Sequence, residues 1–157
     1  MYTKIDLKHA YHLVHIAEED KPKTAFRTCY GSFEWKVMLF GLTNAPAAFQ
    51  RFINKVLGDL LDVCAISYLD DILIYSDSEE EHHGHVWEVL QHLQNTSLFA
   101  NPKKCTFHTD MVEYLSFILS PQGLKMDPAK VSAIQAWSIP TKCPILPGIH
   151  QFLPLIH

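Results

Sequence analysis

Residues 65–78 read A-I-S-Y-L-D-D-I-L-I-Y-S-D-S, two short runs rich in Ile, Leu and Tyr on either side of a bare Asp70-Asp71 pair. That pattern predicts a tight β-hairpin carrying two carboxylates at its turn. Adjacent carboxylates repel each other, and a divalent cation offsets the repulsion, because hard ions such as Mg²⁺ take oxygen ligands from one or two Asp side chains. Asp is also a good turn residue in its own right, so the pair gains chemical meaning only from a partner elsewhere. Tyr2 to Leu7 supplies that partner. Its alternation sets Tyr2, Lys4 and Asp6 on one face and Thr3, Ile5 and Leu7 on the other, a strand with Asp6 near its end. Successive strand residues face opposite ways, so Asp6 and one member of the pair, Asp70 on this reading, aim at a common ion, with Asp71 mattering less. Two carboxylates from separate strands suit phosphoryl transfer by two metal ions roughly 3.5–4 Å apart.

The rest of the composition bounds the class. A chain of 157 residues with 48% hydrophobic content buries one core and predicts one domain. No apolar run reaches the roughly 18 residues of a membrane helix, and the N-terminus lacks a signal-peptide core. A soluble, intracellular chain of the cytoplasm or nucleus is expected, with no membrane partner. Cys29, Cys64, Cys105 and Cys143 are scattered, which suggests neither a zinc site nor a disulfide framework. The formal net charge of −4 gives no general attraction to nucleic acid, so binding of that kind needs a local basic face and metal bridges.

Around the two acidic segments the chain reads as an α+β sandwich. His9 to Tyr11 predicts a turn, His12 to Ile16 a strand, and Glu18 to Lys23 a polar loop closed by Pro22. Thr24 to Val37 predicts a second hairpin around Cys29-Tyr30-Gly31-Ser32, its aromatics Phe26, Tyr30, Phe33 and Trp35 expected in the core. Thr43 or Asn44 caps a helix with Pro46 in its first turn, burying Phe49, Phe52, Ile53, Val56, Leu57, Leu60 and Leu61. Gln50 and Arg51 lie near its start on the outer face. Ser78 and Glu81 form a capping box for a helix to about Thr96, burying Val86, Leu90 and Leu93 with Trp87 beside them. This reading takes His82, His83 and His85 as helix residues rather than metal ligands. Asn101-Pro102-Lys103-Lys104 is a turn, Val112 to Ser120 a strand, and Ser120-Pro121-Gln122-Gly123 a turn leading to its partner at Leu124 to Met126. Asp127-Pro128 caps a last helix with Val131, Ile134 and Trp137 facing inward. From 139 to 157 the Pro-rich tail predicts no regular structure.

Three motifs in order, K-I-D-L-K-H-A-Y, F-G-L-T-N-A-P-A-A-F-Q and Y-L-D-D-I-L-I-Y-S, resemble the palm of reverse transcriptases from gypsy-type LTR retrotransposons. The resemblance continues through N-P-K-K-C-T-F and V-E-Y-L-S-F-I-L-S-P-Q-G-L to about Trp137. It implies a palm-type antiparallel sheet covered on one face by helices over residues 1–138, with a C-terminal hairpin like a primer grip. It also implies RNA-directed DNA polymerisation by two-metal nucleotidyl transfer to a primer 3′-hydroxyl. Asp6, Asp70 and Asp71 match the catalytic, metal-holding carboxylates, with Mg²⁺ as the ion and Mn²⁺ as its substitute. Tyr11 matches the aromatic residue facing the sugar of the nucleotide; Phe40 and Gly41 fall where the nucleotide is met, and Lys103 or Lys104 matches the lysine near the triphosphate. Pro46 and Gln50, and Tyr114, Leu115 and Ser116 of the grip, match positions near template and primer. The implied partners are deoxynucleoside triphosphates and a primer on an RNA or DNA template. Three departures accompany these matches. Met1 stands immediately before the catalytic strand, so the fingers and thumb are expected from other segments of a parent polyprotein. Leu39 replaces the usual Pro before Phe-Gly, and Ser116 replaces a Gly in the grip. A frameshift, altered splice or decayed copy would each account for the start and the tail. The alternative reading is an inactive remnant that binds nucleic acid or protein through its palm surface.

Overall fold

The computed structural model describes residues 1–137, so the tail expected to be irregular over 139–157 lies outside the described residues. The chain divides after Lys125 into two compact units. In the first unit the frame is a four-stranded antiparallel sheet in the order β4-β5-β1-β6, formed by β1 (Tyr2–Asp6), β4 (Ala65–Tyr68), β5 (Asp71–Tyr75) and β6 (Thr106–Thr109). A separate hairpin joins β2 (Phe26–Thr28) to β3 (Gly31–Phe33). A second sheet follows the order β7-β8-β9, from β7 (Val112–Tyr114), β8 (Phe117–Ser120) and β9 (Gly123–Met126). These elements match an α+β palm with a hairpin appended near its C-terminal end.

Strand alternation sorts the main sheet into two faces. Thr3, Ile5, Leu7, Ile72 and Ile74 are buried on one face under helix α1 (Ala45–Leu57) and helix α2 (Glu79–Asn95). From α1 come Phe49, Ile53, Val56 and Leu57, and from α2 Val86, Val89 and Leu93. Truncating one such residue, for example Ile53→Ala, costs about 2–5 kcal/mol through lost transfer energy and the cavity left behind. Gly58, at φ +53°, ends α1, so Leu60 and Leu61 fall in a 3₁₀ turn and beyond it and are only partly buried, unlike the continuous stripe expected. The opposite face carries Tyr2, Lys4, Asp6, Asp71, Leu73 and Tyr75; Val112, Tyr114 and Leu119 of the second sheet pack on Leu73 and Tyr2.

Several local expectations are corrected. Residues 10–13 form a 3₁₀ turn, and of the strand expected over 12–16 only a single bridge, His15 to Val37, is formed. Glu18–Thr24 is a 3₁₀ helix rather than a loop, with Pro22 inside it. Phe26, Tyr30, Phe33 and Trp35 are exposed, because among the described residues the β2–β3 hairpin pairs only with itself and has no second layer to cover them. Trp87 projects outward from α2. The strand expected over 112–120 is two strands, turned at Leu115 and Ser116 with φ of +49° and +69°, the sign that type I′ hairpin turns require at both central positions. In the second unit, α3 (Pro128–Gln135) is capped by Asp127, whose Oδ1 accepts from the Ala129 N–H at 2.9 Å. Ile134 and Trp137 are exposed rather than inward, since a helix this short presents no continuous apolar stripe.

Candidate active site

The β4–β5 turn is two residues long, because Tyr68 pairs with Asp71 and leaves Leu69 and Asp70 between them. Leu69 takes φ +51°, the positive value that type II′ turns place at their first central position. For a Leu that backbone costs on the order of 1 kcal/mol, and the fold holds it in place from outside. Gln50 on α1 accepts the Leu69 N–H at 2.8 Å through Oε1 and donates from Nε2 to the Ser67 carbonyl at 3.1 Å. The Gln50 amide, placed by resemblance near the template, is therefore taken up by the turn that carries Asp70.

Register decides how the carboxylates meet. Asp6 lies directly opposite Asp71, so these two share a face, and strict alternation alone would select Asp71 as the partner of Asp6. Asp70 escapes alternation because it sits in the turn, where the Leu7 N–H donates to its carbonyl at 2.8 Å and extends the ladder by one step. The cavity there, about 270 Å³, is lined by Asp6, Asp70, Tyr11, Phe40, Asn101 and Lys104 among others, and Asp71 is not in its wall. Burial pushes the Asp70 carboxyl up, and the charges of Asp6 and Asp71 push the same way while Lys104 opposes them. Asp70 Oδ1 is buried and has no hydrogen-bond partner among the described residues. A buried carboxylate oxygen left unpaired is costly, and a bound cation would satisfy it.

Each of the other carboxylates already faces an ammonium group. Lys104 Nζ stands 3.2 Å from Asp6 Oδ2, and Lys4 Nζ stands 3.3 Å from Asp71 Oδ1. The turn bearing Lys104 is anchored to the same strand end, since the Asn101 N–H donates to the Asp6 carbonyl at 2.8 Å. Among the described residues no three His, Cys, Asp or Glu side chains are gathered closely enough to hold an ion by themselves. The donor set nevertheless suits a Mg²⁺-like ion, which is held by one or two carboxylates and completes its shell from water and substrate phosphates.

The aromatic wall is built from the core outward. The Tyr11 ring stacks on Phe49 with centroids 4.3 Å apart and a 12° interplanar angle, and Phe40 leans on it at 4.8 Å. Tyr11 is almost wholly buried, yet it lines the cavity; burial raises its hydroxyl pKa, and the nearby Asp70 adds to this. Phe40 is largely exposed at the cavity edge, followed by Gly41 at φ +95°. Pro46 is exposed in the first turn of α1. Tyr114 is buried, its hydroxyl donates to the Asp71 carbonyl at 3.3 Å, and burial pushes its pKa up to about 12. Leu115 and Ser116 form the turn beyond it rather than part of the cavity wall. Lys4 carried one sequence signal, its place on the Asp6 face, whereas its pairing with Asp71 depends on register.

Comparison with known proteins gives a consistent picture. The family model described as reverse transcriptase (RNA-dependent DNA polymerase) matches residues 1–119. The Tf2-3 and Tf2-7 transposon polyproteins of Schizosaccharomyces pombe are 42% and 41% identical over 140 residues, 89% of this chain. The chain spans about a tenth of the length of those curated relatives. Among solved structures, a foamy viral protease-reverse transcriptase in complex with double-stranded DNA superposes with a TM-score of 0.78 at 22% identity, over 88% of this chain and 24% of that one. The native prototype foamy virus protease-reverse transcriptase superposes at 0.65 with 26% identity, over 80% and 16%.

Proposed function

The chain belongs to the reverse transcriptase (RNA-dependent DNA polymerase) family, and from that premise we propose that it forms the palm of a retrotransposon polymerase. The proposed reaction extends a primer on an RNA or DNA template with deoxynucleoside triphosphates. The observation that carries this reading is the cavity wall shared by Asp6 and Asp70, with Asp70 Oδ1 buried and unpaired beside it. These two carboxylates would hold the divalent ion, Mg²⁺ with Mn²⁺ as its substitute. Divalent ions held there would supply charge neutralisation for phosphoryl transfer. Around them the chain's own residues position the reactants. Lys104 offers a cation to the triphosphate from the wall beside Asp6, Tyr11 closes the sugar side, and Phe40 and Gly41 border the nucleotide. Tyr114 ties the β7–β8 hairpin to Asp71, and the Leu115-Ser116 turn of that hairpin meets the primer end. Pro46 and Gln50 stand towards the template, Gln50 acting through the turn it braces.

The test is a chimera in which residues 1–137 replace the matching segment of a Tf2 polyprotein, assayed for primer extension. Extension that depends on Mg²⁺ and falls at least about a hundredfold in Asp6→Asn and in Asp70→Asn is the expected result, since several kcal/mol of charge stabilisation would be lost. A folded chimera that binds primer-template but never extends it would favour the inactive remnant instead.

A further inference from the structure

The end of the catalytic strand is clamped on both edges. On one edge the Leu7 N–H reaches the Asp70 carbonyl at 2.8 Å. On the other, residues 99–101 run antiparallel to residues 6–8: the Lys8 N–H donates to the Phe99 carbonyl at 2.7 Å, Leu7 is bridged to Ala100, and the Asn101 N–H donates to the Asp6 carbonyl at 2.8 Å. That register sets Asn101 directly opposite Asp6. Residues so opposed carry their side chains on the same face, with Cβ atoms about 4.5–5.5 Å apart, while Leu7 and Ala100, one step along, turn to the core. Asn101 thus stands beside the Asp6 carboxylate, in the wall of the cavity that also holds Asp70 and Lys104. Both of its backbone groups are taken, since its carbonyl accepts the Lys104 N–H at 3.0 Å and the Cys105 thiol at 3.1 Å. Its side-chain amide has no hydrogen-bond partner among the described residues. Lys104 differs, because its ammonium is engaged by Asp6 at 3.2 Å.

Resting on the function proposed above, we infer that Asn101 contacts the incoming deoxynucleoside triphosphate, its Nδ2 donating a hydrogen bond to a non-bridging phosphate oxygen. An Asn amide carries two N–H donors, and here nothing in the described chain occupies them. The neighbours select phosphate over sugar or base. Asp6 and Lys104 flank Asn101, whereas the rings of Tyr11 and Phe40, which suit the sugar and the base, lean on each other and build their own stretch of wall. The amide is neutral, so it orients a phosphate without competing with a divalent ion for Asp6, a competition that Lys104 enters through its ion pair.

Binding of dTTP to the chimera on a chain-terminated primer opposite a template adenine tests this without turnover. Asn101→Ala removes the amide and leaves the backbone bonds of residues 99–101 in place. It should weaken the dTTP Kd about tenfold, equivalent to about 1.4 kcal/mol. On an extendable primer the same variant should raise KM about tenfold with kcat within about threefold of the wild type, the pattern of a lost binding contact. In the 157-residue chain, Asn101→Ala should leave the Mn²⁺ affinity, read from the electron paramagnetic resonance signal of the free ion, within about twofold, because the amide is not a ligand of the ion in this assignment. An unchanged dTTP Kd overturns the inference. So does a loss of Mn²⁺ affinity as large as the loss of dTTP affinity, which would make Asn101 a support of the metal-bearing strand. If Asn101→Ala does not fold by circular dichroism, Asn101→Leu, similar in shape and without polar atoms, carries the same comparison. A chimera that extends its primer while Asn101→Ala binds dTTP as well as the wild type would leave the proposed function standing and sink the inference alone. A folded chimera that never extends would sink both.

Discussion

A carboxylate raised by burial, flanked by two like charges and left with an unpaired oxygen, is a cost that the fold carries at Asp70. Replacing it by the neutral isostere should relieve that cost. Asp70→Asn is expected to raise the melting temperature, by about 2–4 °C for each kcal/mol of relief in a chain of this size, while abolishing Mn²⁺ binding. A lower melting temperature with binding retained would show that the Asp70 charge is satisfied by the protein itself. Tyr11 has the opposite character, since its ring is held by Phe49 on one side and borders the cavity on the other. With a nucleotide in the proposed pose, a ring fixed in that way would tolerate a deoxyribose and clash with a 2′-hydroxyl. In the chimera, Tyr11→Ala should therefore raise ribonucleotide incorporation relative to deoxynucleotide incorporation by about tenfold or more, with loss of packing also lowering stability by about 3–5 kcal/mol. An unchanged ratio in the folded variant would make Tyr11 a core residue and nothing else.

Between elements, His82 fastens α2 to the sheet. It is fully buried, with Nε2 2.8 Å from Thr3 Oγ1 of β1 and Nδ1 2.8 Å from Ser76 Oγ just past β5. Burial, with His108 and other nearby positive groups, lowers its pKa to about 4. The folded value lies below the ordinary 6.5, so the unfolded chain binds more protons in that window, and stability must fall as pH drops from about 6.5 towards 4. Each unit of depression is worth about 1.4 kcal/mol. Urea unfolding across pH 7.5 to 4 should show this slope in the wild type and a shallower one in His82→Gln; parallel slopes would remove His82 from the account. The main strands and helices, and the meeting of Asp6 with the turn that carries Asp70 and Asp71, were legible because alternation and helical spacing mark those elements directly. Register was not. The role of Gln50 at Leu69, the pairing of Lys4 with Asp71 and the split of residues 112–120 at Leu115 depend on which strand lies beside which, information that a linear pattern does not hold. The exposed Phe26, Phe33 and Trp35 were misread for a related reason, since aromatic alternation shows that a face is apolar without showing what covers it.

At the scale of the whole molecule, the carboxylates are assembled but the surroundings that align substrates are sparse. The cavity holding Asp6 and Asp70 measures about 270 Å³, small for a nucleotide together with a primer end, and its wall offers Lys8 and Lys104 as its cations. Duplex affinity rests largely on phosphate contacts by Lys and Arg, and this chain carries 13 such residues against 17 acidic ones. Alignment of reactants supplies roughly 7–11 kcal/mol in well-organised sites, and a tenth of the length of the related polyproteins supplies few of the surfaces that could provide it. The expectation is that the 157-residue chain alone binds Mn²⁺ yet shows at least about a thousandfold less primer extension than the Tf2 chimera. Measuring both on the same primer-template, with binding followed separately by fluorescence anisotropy, distinguishes loss of affinity from loss of alignment. Saturating the isolated chain with primer-template should leave most of the deficit in place if alignment dominates. Robust Mg²⁺-dependent extension by the chain alone would mean instead that the palm organises its substrates without further walls.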